Sequence, residues 1–127
     1  MSIIEGKVWG TTRPLIQSSV IEVHLINVHK NGCCSRHSHQ SKINAFYVIE
    51  GELMIRRWKN YDMIDKTILR KGDMSIVPAG ESHQFVAQEV TEALEIYWAE
   101  LDSKDIVRET VGGTFSALQR IKGKTDS

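Results

Sequence analysis

Short runs rich in β-branched and aromatic residues recur along this 127-residue chain, and turn-forming residues separate them. Such runs favour β-strands, and the Gly, Asn and Asp residues between them favour tight turns. We predict strands at residues 20–28, 44–49, 53–58, 63–69, 74–77, 83–87 and 94–99. Many short strands joined by close turns are typical of a sandwich or barrel. The sequence therefore predicts an all-β domain.

The composition fits one domain spanning residues 1–127, because 41% of the residues are hydrophobic and 25% are charged. Sixteen basic residues balance sixteen acidic residues, which argues against electrostatic binding to nucleic acid or to a membrane surface. The chain has no apolar run of transmembrane length and does not begin with a signal-peptide pattern. We therefore predict a cytoplasmic protein.

The two ends of the chain are less regular than the middle. Residues 1–18 are predicted to add an edge strand as an arm. Phe115, Leu118 and Ile121 lie three apart, a spacing that favours a short C-terminal helix. Residues 122–127 are predicted to form a frayed tail.

Three histidines carry the main functional signal. His37 and His39 are two residues apart, so both side chains project from the same face if that segment is a strand. His83 follows the turn residues Pro78 and Gly80 at the predicted start of another strand. Three converging imidazoles would hold one divalent transition metal ion, such as zinc, iron, nickel, cobalt or manganese. The alternative is that these are ordinary surface or hydrogen-bonded histidines.

The two-part pattern around these histidines resembles the cupin family. The first cupin motif matches Gly32, His37, His39 and Gly51, with Asn44 at the position of the family's glutamate. The second motif matches Gly72, Pro78, Gly80 and His83, with Ala87 at the position of its final asparagine. The matched core spans residues 32–87. The resemblance implies a jelly-roll (double-stranded β-helix) barrel, metal ligation by the three histidines, a small-molecule ligand and a homodimer.

Asn44 is the departure with chemical consequences. A glutamate at this position would give the metal a negatively charged oxygen ligand, whereas an amide oxygen is neutral. A site of neutral ligands leaves the full charge of a divalent ion on the metal, which weakens metal binding but favours an anionic ligand. Asn44 is therefore a candidate metal ligand or pocket residue. The alternative is an ordinary hydrogen bond from its side chain to the backbone.

Five further residues are candidates for the substrate pocket. Aromatic side chains on the same strand face as the metal ligands could wall the pocket, and an arginine would suit a phosphate or carboxylate. The candidates are Phe46, Tyr47, Arg56, Gln84 and Phe85.

Several other polar residues lie near the motifs or in the predicted strands. Strand alternation would place Cys33 on the face of His37, either as a further ligand or as a small packed residue. Adjacent cysteines rarely form a disulfide with each other. Glu95 would serve as a general base if it pointed inward, but we expect this carboxylate to face solvent. His24 receives no assigned chemistry.

The ends of the chain also look like the cupin domain of type II mannose-6-phosphate isomerases. The matching segments are Val8-Trp9-Gly10 and Asp105-Ile106-Val107-Arg108. This resemblance implies a metal-dependent interconversion of aldose and ketose sugar phosphates. Two other functions stay open, namely a three-histidine non-haem iron dioxygenase and a non-catalytic module that binds a small molecule.

Overall fold

A computed structural model describes residues 3–99, 104–105, 107, 109–112 and 114. Within these residues the chain forms strands and contains no helix, so no helix there could cross a membrane. This result confirms the prediction of an all-β fold. The predicted C-terminal helix and the tail at residues 122–127 lie outside the described residues. The strands are β1 (Glu5–Lys7), β2 (Gly10–Gln17), β3 (Ile21–Val28), β4 (Ile43–Glu50), β5 (Glu52–Lys59), β6 (Asp62–Arg70), β7 (Met74–Val77), β8 (Ser82–Ala87) and β9 (Thr91–Trp98).

The strands form two antiparallel sheets, as in a jelly roll. The large sheet has the order β1-β2-β3-β9-β4-β7, and the small sheet has the order β6-β5-β8. The N-terminal arm supplies β1 at one edge of the large sheet and β2 beside it. Neighbours in the sheet are often distant in sequence, as where β9 inserts between β3 and β4. This crossing of the chain brings residues from both ends of the domain to one core.

Alternating side chains from both sheets form that core. On β4, Phe46 and Val48 are fully buried, and on β8, Phe85 and Ala87 alternate with partly exposed residues. Ile55 of β5 lies opposite Phe85 and is also fully buried. Because side chains alternate along a strand, the residue two positions before Phe85 projects to the same inner face. That residue is His83.

The segment that carries the other two histidines is not the regular strand expected from its spacing. It pairs with β8 only through two isolated bridges, Cys33 with Val86 and His37 with His83. The segment therefore extends the small sheet at its edge without continuous pairing. This partial pairing changes the direction of its side chains, since Cys33 is exposed and Cys34 is buried.

Two glycines of the sequence motifs permit turns that shape the site. Gly51 has a φ of 102° between β4 and β5, and a Cβ there would collide with the carbonyl oxygen of Val90. Gly80 has a φ of 85° in the turn that leads into β8. Other residues rarely adopt such angles. The second turn determines where β8 begins, and with it the position of His83.

Candidate metal centre

The structure brings His37, His39 and His83 together at the edge of the core. One ring nitrogen from each histidine lies within 4.8 Å of the others. The ring centroids of His37 and His83 are 4.5 Å apart, and those of His39 and His83 are 5.4 Å apart. His83 is buried, whereas the other two are partly exposed. This spacing suits three nitrogen ligands that share one ion.

Backbone hydrogen bonds fix the two segments that carry these rings. The amide of His37 donates to the carbonyl of His83 at 3.1 Å, and the amide of His83 donates back at 2.8 Å. The amide of Gly80 donates to the carbonyl of His39 at 2.7 Å. The turn before β8 is therefore bonded directly to the first histidine pair. These backbone contacts fix the relative position of the two segments that carry the three rings.

Further contacts orient the rings. The Nδ1 atoms of His37 and His83 lie 2.7 Å and 3.0 Å from the carbonyl oxygens of Ser35 and Glu81. If each Nδ1 carries the proton, each Nε2 keeps its lone pair for a ligand. The Glu81 carboxylate in turn accepts two hydrogen bonds from Arg57, at 2.7 Å and 3.0 Å. The Arg57–Glu81 pair thus holds the residue whose carbonyl orients His83.

The contact between His83 and Asn44 indicates a missing positive charge. His83 Nε2 lies 2.9 Å from Asn44 Oδ1, and the Asn44 amide donates to the carbonyl of Ile96 at 3.0 Å. A neutral His83 has one N–H but faces two oxygen acceptors, Asn44 Oδ1 and the Glu81 carbonyl. Rotating the Asn44 amide would only move the conflict to Ile96. A cation beside Nε2 and Oδ1 would satisfy both lone pairs.

His39 gives a second, independent sign of the same kind. Its Nε2 atom is buried and has no hydrogen-bond partner among the described residues. Burial, with the nearby His37 and His83, lowers the pKa of His39 to about 4. The ring is therefore neutral at physiological pH, and its buried lone pair is available. An unpaired buried polar atom is costly unless something binds it. The donor set of the three histidines fits a divalent transition metal.

His37 and His39 open onto a cavity of about 450 Å³. Phe85 forms part of its apolar wall, and Glu95 and Tyr97 of β9 line it as well. Burial raises the pKa of the Glu95 carboxyl, which lies beside Tyr97. The cavity therefore combines the imidazoles of His37 and His39 with a carboxyl group that holds its proton more tightly than one in water.

A family model described as Cupin matches residues 7–125. The chain belongs to the cupin family. No curated protein sequence matches it significantly. The match covers both histidine motifs and all nine strands except the first two residues of β1.

Solved cupin structures share the fold of this cupin. KdgF from Halomonas sp. has a TM-score of 0.67 and 15% identity over 79% of this chain and 90% of its own. An RmlC-like cupin from Shewanella frigidimarina has a TM-score of 0.67 and 21% identity, covering 84% and 89% of the two chains. The oxalate decarboxylase of Bacillus subtilis, which has Mn(II) centres, has a TM-score of 0.69 and 16% identity; 83% of this cupin aligns with 29% of that chain.

The cavity of this cupin contains polar residues that the sequence motifs did not indicate. Glu22 and His24 of β3 lie opposite Tyr97 and Glu95 of β9, and all four line the cavity. His24 Nε2 is 3.1 Å from Glu22 Oε1, and its ring meets that of Tyr97 edge-on with centroids 6.0 Å apart. The expectation that Glu95 faces solvent is wrong. The sequence signal for this wall of the cavity was the presence of polar residues at alternate positions of β3 and β9.

The five predicted pocket residues divide between the two faces of their strands. Phe85 lines the cavity, and Phe46 packs between it and His83, with ring centroids 5.9 Å and 6.2 Å away. Tyr47, Arg56 and Gln84 do not line the cavity. Arg56 donates to Gln84 at 3.3 Å, and Gln84 lies on the face of β8 opposite His83. Because side chains alternate along a strand, Arg56 and Gln84 lie on the face of the small sheet that points away from His83.

Strand alternation predicted that Cys33 would share the face of His37, but the structure places Cys34 there instead. Cys33 is exposed, whereas Cys34 is buried and lines the cavity. Burial raises the pKa of the Cys34 thiol to about 12, so the thiolate that would bind a metal does not form at neutral pH. Its sulfur accepts a hydrogen bond from the amide of Phe85 at 3.2 Å. Cys34 therefore acts as a small packed residue.

Proposed function

We propose that this cupin is a metal-dependent enzyme that moves a proton on a small, hydroxylated anion such as a sugar phosphate or sugar acid. One observation carries the proposal: two of the three clustered histidines, His37 and His39, line the same cavity as the partly buried carboxyl group of Glu95. A metal that polarises a substrate and a group that transfers a proton are the two parts that an isomerase needs.

His37, His39 and His83 would hold the metal, and Asn44 Oδ1 would lie beside it. When bound, the ion would polarise a carbonyl or hydroxyl oxygen of the substrate. All four groups would bind the ion as neutral ligands, so they would leave its charge uncompensated and favour an anionic substrate. The manganese of the similar oxalate decarboxylase supports manganese as one candidate, beside zinc, iron, nickel and cobalt.

Glu95 would act as the proton-transfer group. Its burial disfavours the charged form, which brings the carboxyl group closer to the pKa that acid–base catalysis near neutral pH requires. Tyr97 lies beside this carboxyl group, and its ring packs edge-on against His39 with centroids 5.0 Å apart. Lys7 and Lys42 line the same cavity and would attract an anion.

The test is proton exchange in heavy water. Protein without a histidine tag is loaded in turn with manganese, ferrous iron, zinc or cobalt and incubated with a panel of sugar phosphates and sugar acids. NMR then follows deuterium incorporation at carbon. We expect exchange with at least one metal, loss of exchange in Glu95→Gln with full metal content, and loss of both in His83→Ala. A Glu95→Gln variant as active as the parent would refute the role of Glu95.

A three-histidine iron dioxygenase is the second candidate. The observation that favours it is the absence of a carboxylate from the described ligand cluster, which contains only histidines. It predicts oxygen consumption with ferrous iron alone. Ligand binding without turnover under any metal would instead support a non-catalytic module. The homodimer and the cytoplasmic location stay predictions from the sequence.

A further inference from the structure

A second cavity, of about 380 Å³, lies beside the metal cavity. Three side chains line both cavities, namely Glu22, Lys42 and Tyr97. The second cavity lies at the end of the large sheet, where the turn between β2 and β3 meets the end of β9. The shared side chains therefore stand at a junction between the two spaces.

The same two chain segments pass through both cavities. On β9, Glu95 and Tyr97 line the metal cavity and Trp98 lines the second one. In the segment before β4, His39 lines the metal cavity, whereas Ser41 lines the second. The two cavities therefore adjoin along the same two chain segments.

Lys42 offers a positive charge at the junction. Its ammonium lies 4.8 Å from the centroid of the Tyr97 ring and 3.9 Å from Glu22 Oε2, and its side chain is 44% exposed. The distance to Glu22 is longer than that of a charge-assisted hydrogen bond, so the ammonium can still bind another anion. Lys42 is the only basic side chain among the described residues that line the second cavity.

The second cavity combines hydroxyl groups with an aromatic surface. Ser19 and Ser41 are exposed there, and Trp98 gives an apolar wall. The Ser18 hydroxyl accepts a hydrogen bond from the Ile21 amide at 3.2 Å, which holds the turn in place. A few polar groups around an apolar surface suit a molecule with many hydroxyl groups and a non-polar face. A sugar has this character.

We propose that the second cavity binds the distal part of the same molecule whose reactive end meets the histidines. The molecule would be a sugar anion whose phosphate or carboxylate contacts Lys42 at the junction. The role of the reactive end rests on the proposed function. Binding in the second cavity does not require turnover, so it can be measured separately.

The three tryptophans report on separate regions. Trp9 lines the metal cavity, Trp98 lines the second cavity, and Trp58 lies beneath Arg36 and Arg56 on the outer face of the small sheet. Zinc-loaded, ¹⁵N-labelled protein is titrated with glucose 6-phosphate, glucuronate or glucose. We expect at least one of the two anions to shift the indole signals of Trp9 and Trp98 but not that of Trp58, and glucose to bind more weakly. The anion that acts identifies the group that Lys42 recognises.

A matched pair of variants tests the charge at the junction. Lys42→Met should weaken binding of that anion by about tenfold or more, the effect of losing one charged hydrogen bond, and should not weaken zinc binding. Lys71→Met removes the same charge from an ion pair with Glu50, outside both cavities, and should bind like the parent.

Two results would overturn the proposal. One is an unmoved Trp98 signal with both anions at tens of millimolar. The other is a Lys42→Met variant that binds as tightly as the parent. Turnover without a Trp98 shift would refute only the second cavity as a substrate site. A Trp98 shift with Lys42 dependence but no turnover would support the binding site and count against the proposed reaction.

Discussion

The two faces of the small sheet carry similar charged side chains with different surroundings. On β5, Arg57 lies opposite His83 and binds the Glu81 carboxylate through two hydrogen bonds. Its neighbour Arg56 projects to the other face and lies over the Trp58 ring, 5.1 Å from the centroid. Of these two adjacent arginines, Arg57 thus belongs to the network around the candidate ligand His83, and Arg56 to a packed aromatic cluster. The face, and not the residue type, determines the role.

Each region also contains a buried nitrogen without a hydrogen-bond partner in the described part of the chain, His39 Nε2 and Arg56 Nε. Arg56 Nε belongs to a cation that packs on an aromatic ring. His39 Nε2 shares its surroundings with two more imidazole nitrogens. An unpaired buried atom therefore indicates a ligand site only where several such atoms converge.

The largest expected difference between the regions concerns metal affinity. His83→Ala removes the buried candidate ligand and should weaken binding of zinc or cobalt by more than about a hundredfold. This loss exceeds the effect usually seen when a group that hydrogen-bonds to a metal ligand is removed. Arg56→Met is the control and should retain the affinity of the parent. Isothermal titration and elemental analysis would measure both. Equal metal content in His83→Ala and the parent would contradict the three-histidine site.

A smaller effect is expected from Arg57→Met. Loss of the pair with Glu81 frees the residue whose carbonyl orients His83, so metal affinity should fall by about tenfold to a hundredfold. Comparison with Arg56→Met at matched thermal stability isolates the orienting effect from a general loss of packing. If the two variants bound metal equally, Arg57 would have no role in the site.

Asn44→Asp should change affinity in the opposite direction. The substitution keeps the shape of the side chain and adds a negative charge beside His83 Nε2, so divalent metals should bind about tenfold more tightly. The variant also loses the hydrogen bond to Ile96, which should lower the free energy of unfolding by about 1 kcal/mol. Asn27→Asp, on an exposed position of β3, is the control. Unchanged affinity would place Asn44 outside the site.

The smallest effect is expected on the outer face. Arg56→Met removes the contact with the Trp58 ring and the hydrogen bond to Gln84, which should lower the free energy of unfolding by about 1 kcal/mol. Urea denaturation would measure this change. A fall in metal affinity in this variant would mean that the two faces of the small sheet are coupled and do not have separate roles.

The sequence was sufficient to predict the fold, because strand periodicity depends on local spacing. It was also sufficient to predict that His37, His39 and His83 lie close together, because the two motifs that contain them are local patterns. It was insufficient for Arg56 and Gln84, since their polar side chains suggested substrate contact while strand alternation places them on the outer face. Gln84 lies between His83 and Phe85, so alternation alone would have excluded it. The Glu95–Tyr97 wall depends on β9 inserting between β3 and β4, a long-range pairing that no local pattern encodes.

The mutual backbone bonds between His37 and His83 have a consequence for affinity. In an unfolded chain, an ion that joined these two residues would first have to close the long loop between them, at an entropic cost on the order of 3 kcal/mol. In this cupin, folding has already closed that loop. An incoming ion therefore meets ligands in place, and the strength of its binding depends on coordination chemistry rather than on chain entropy.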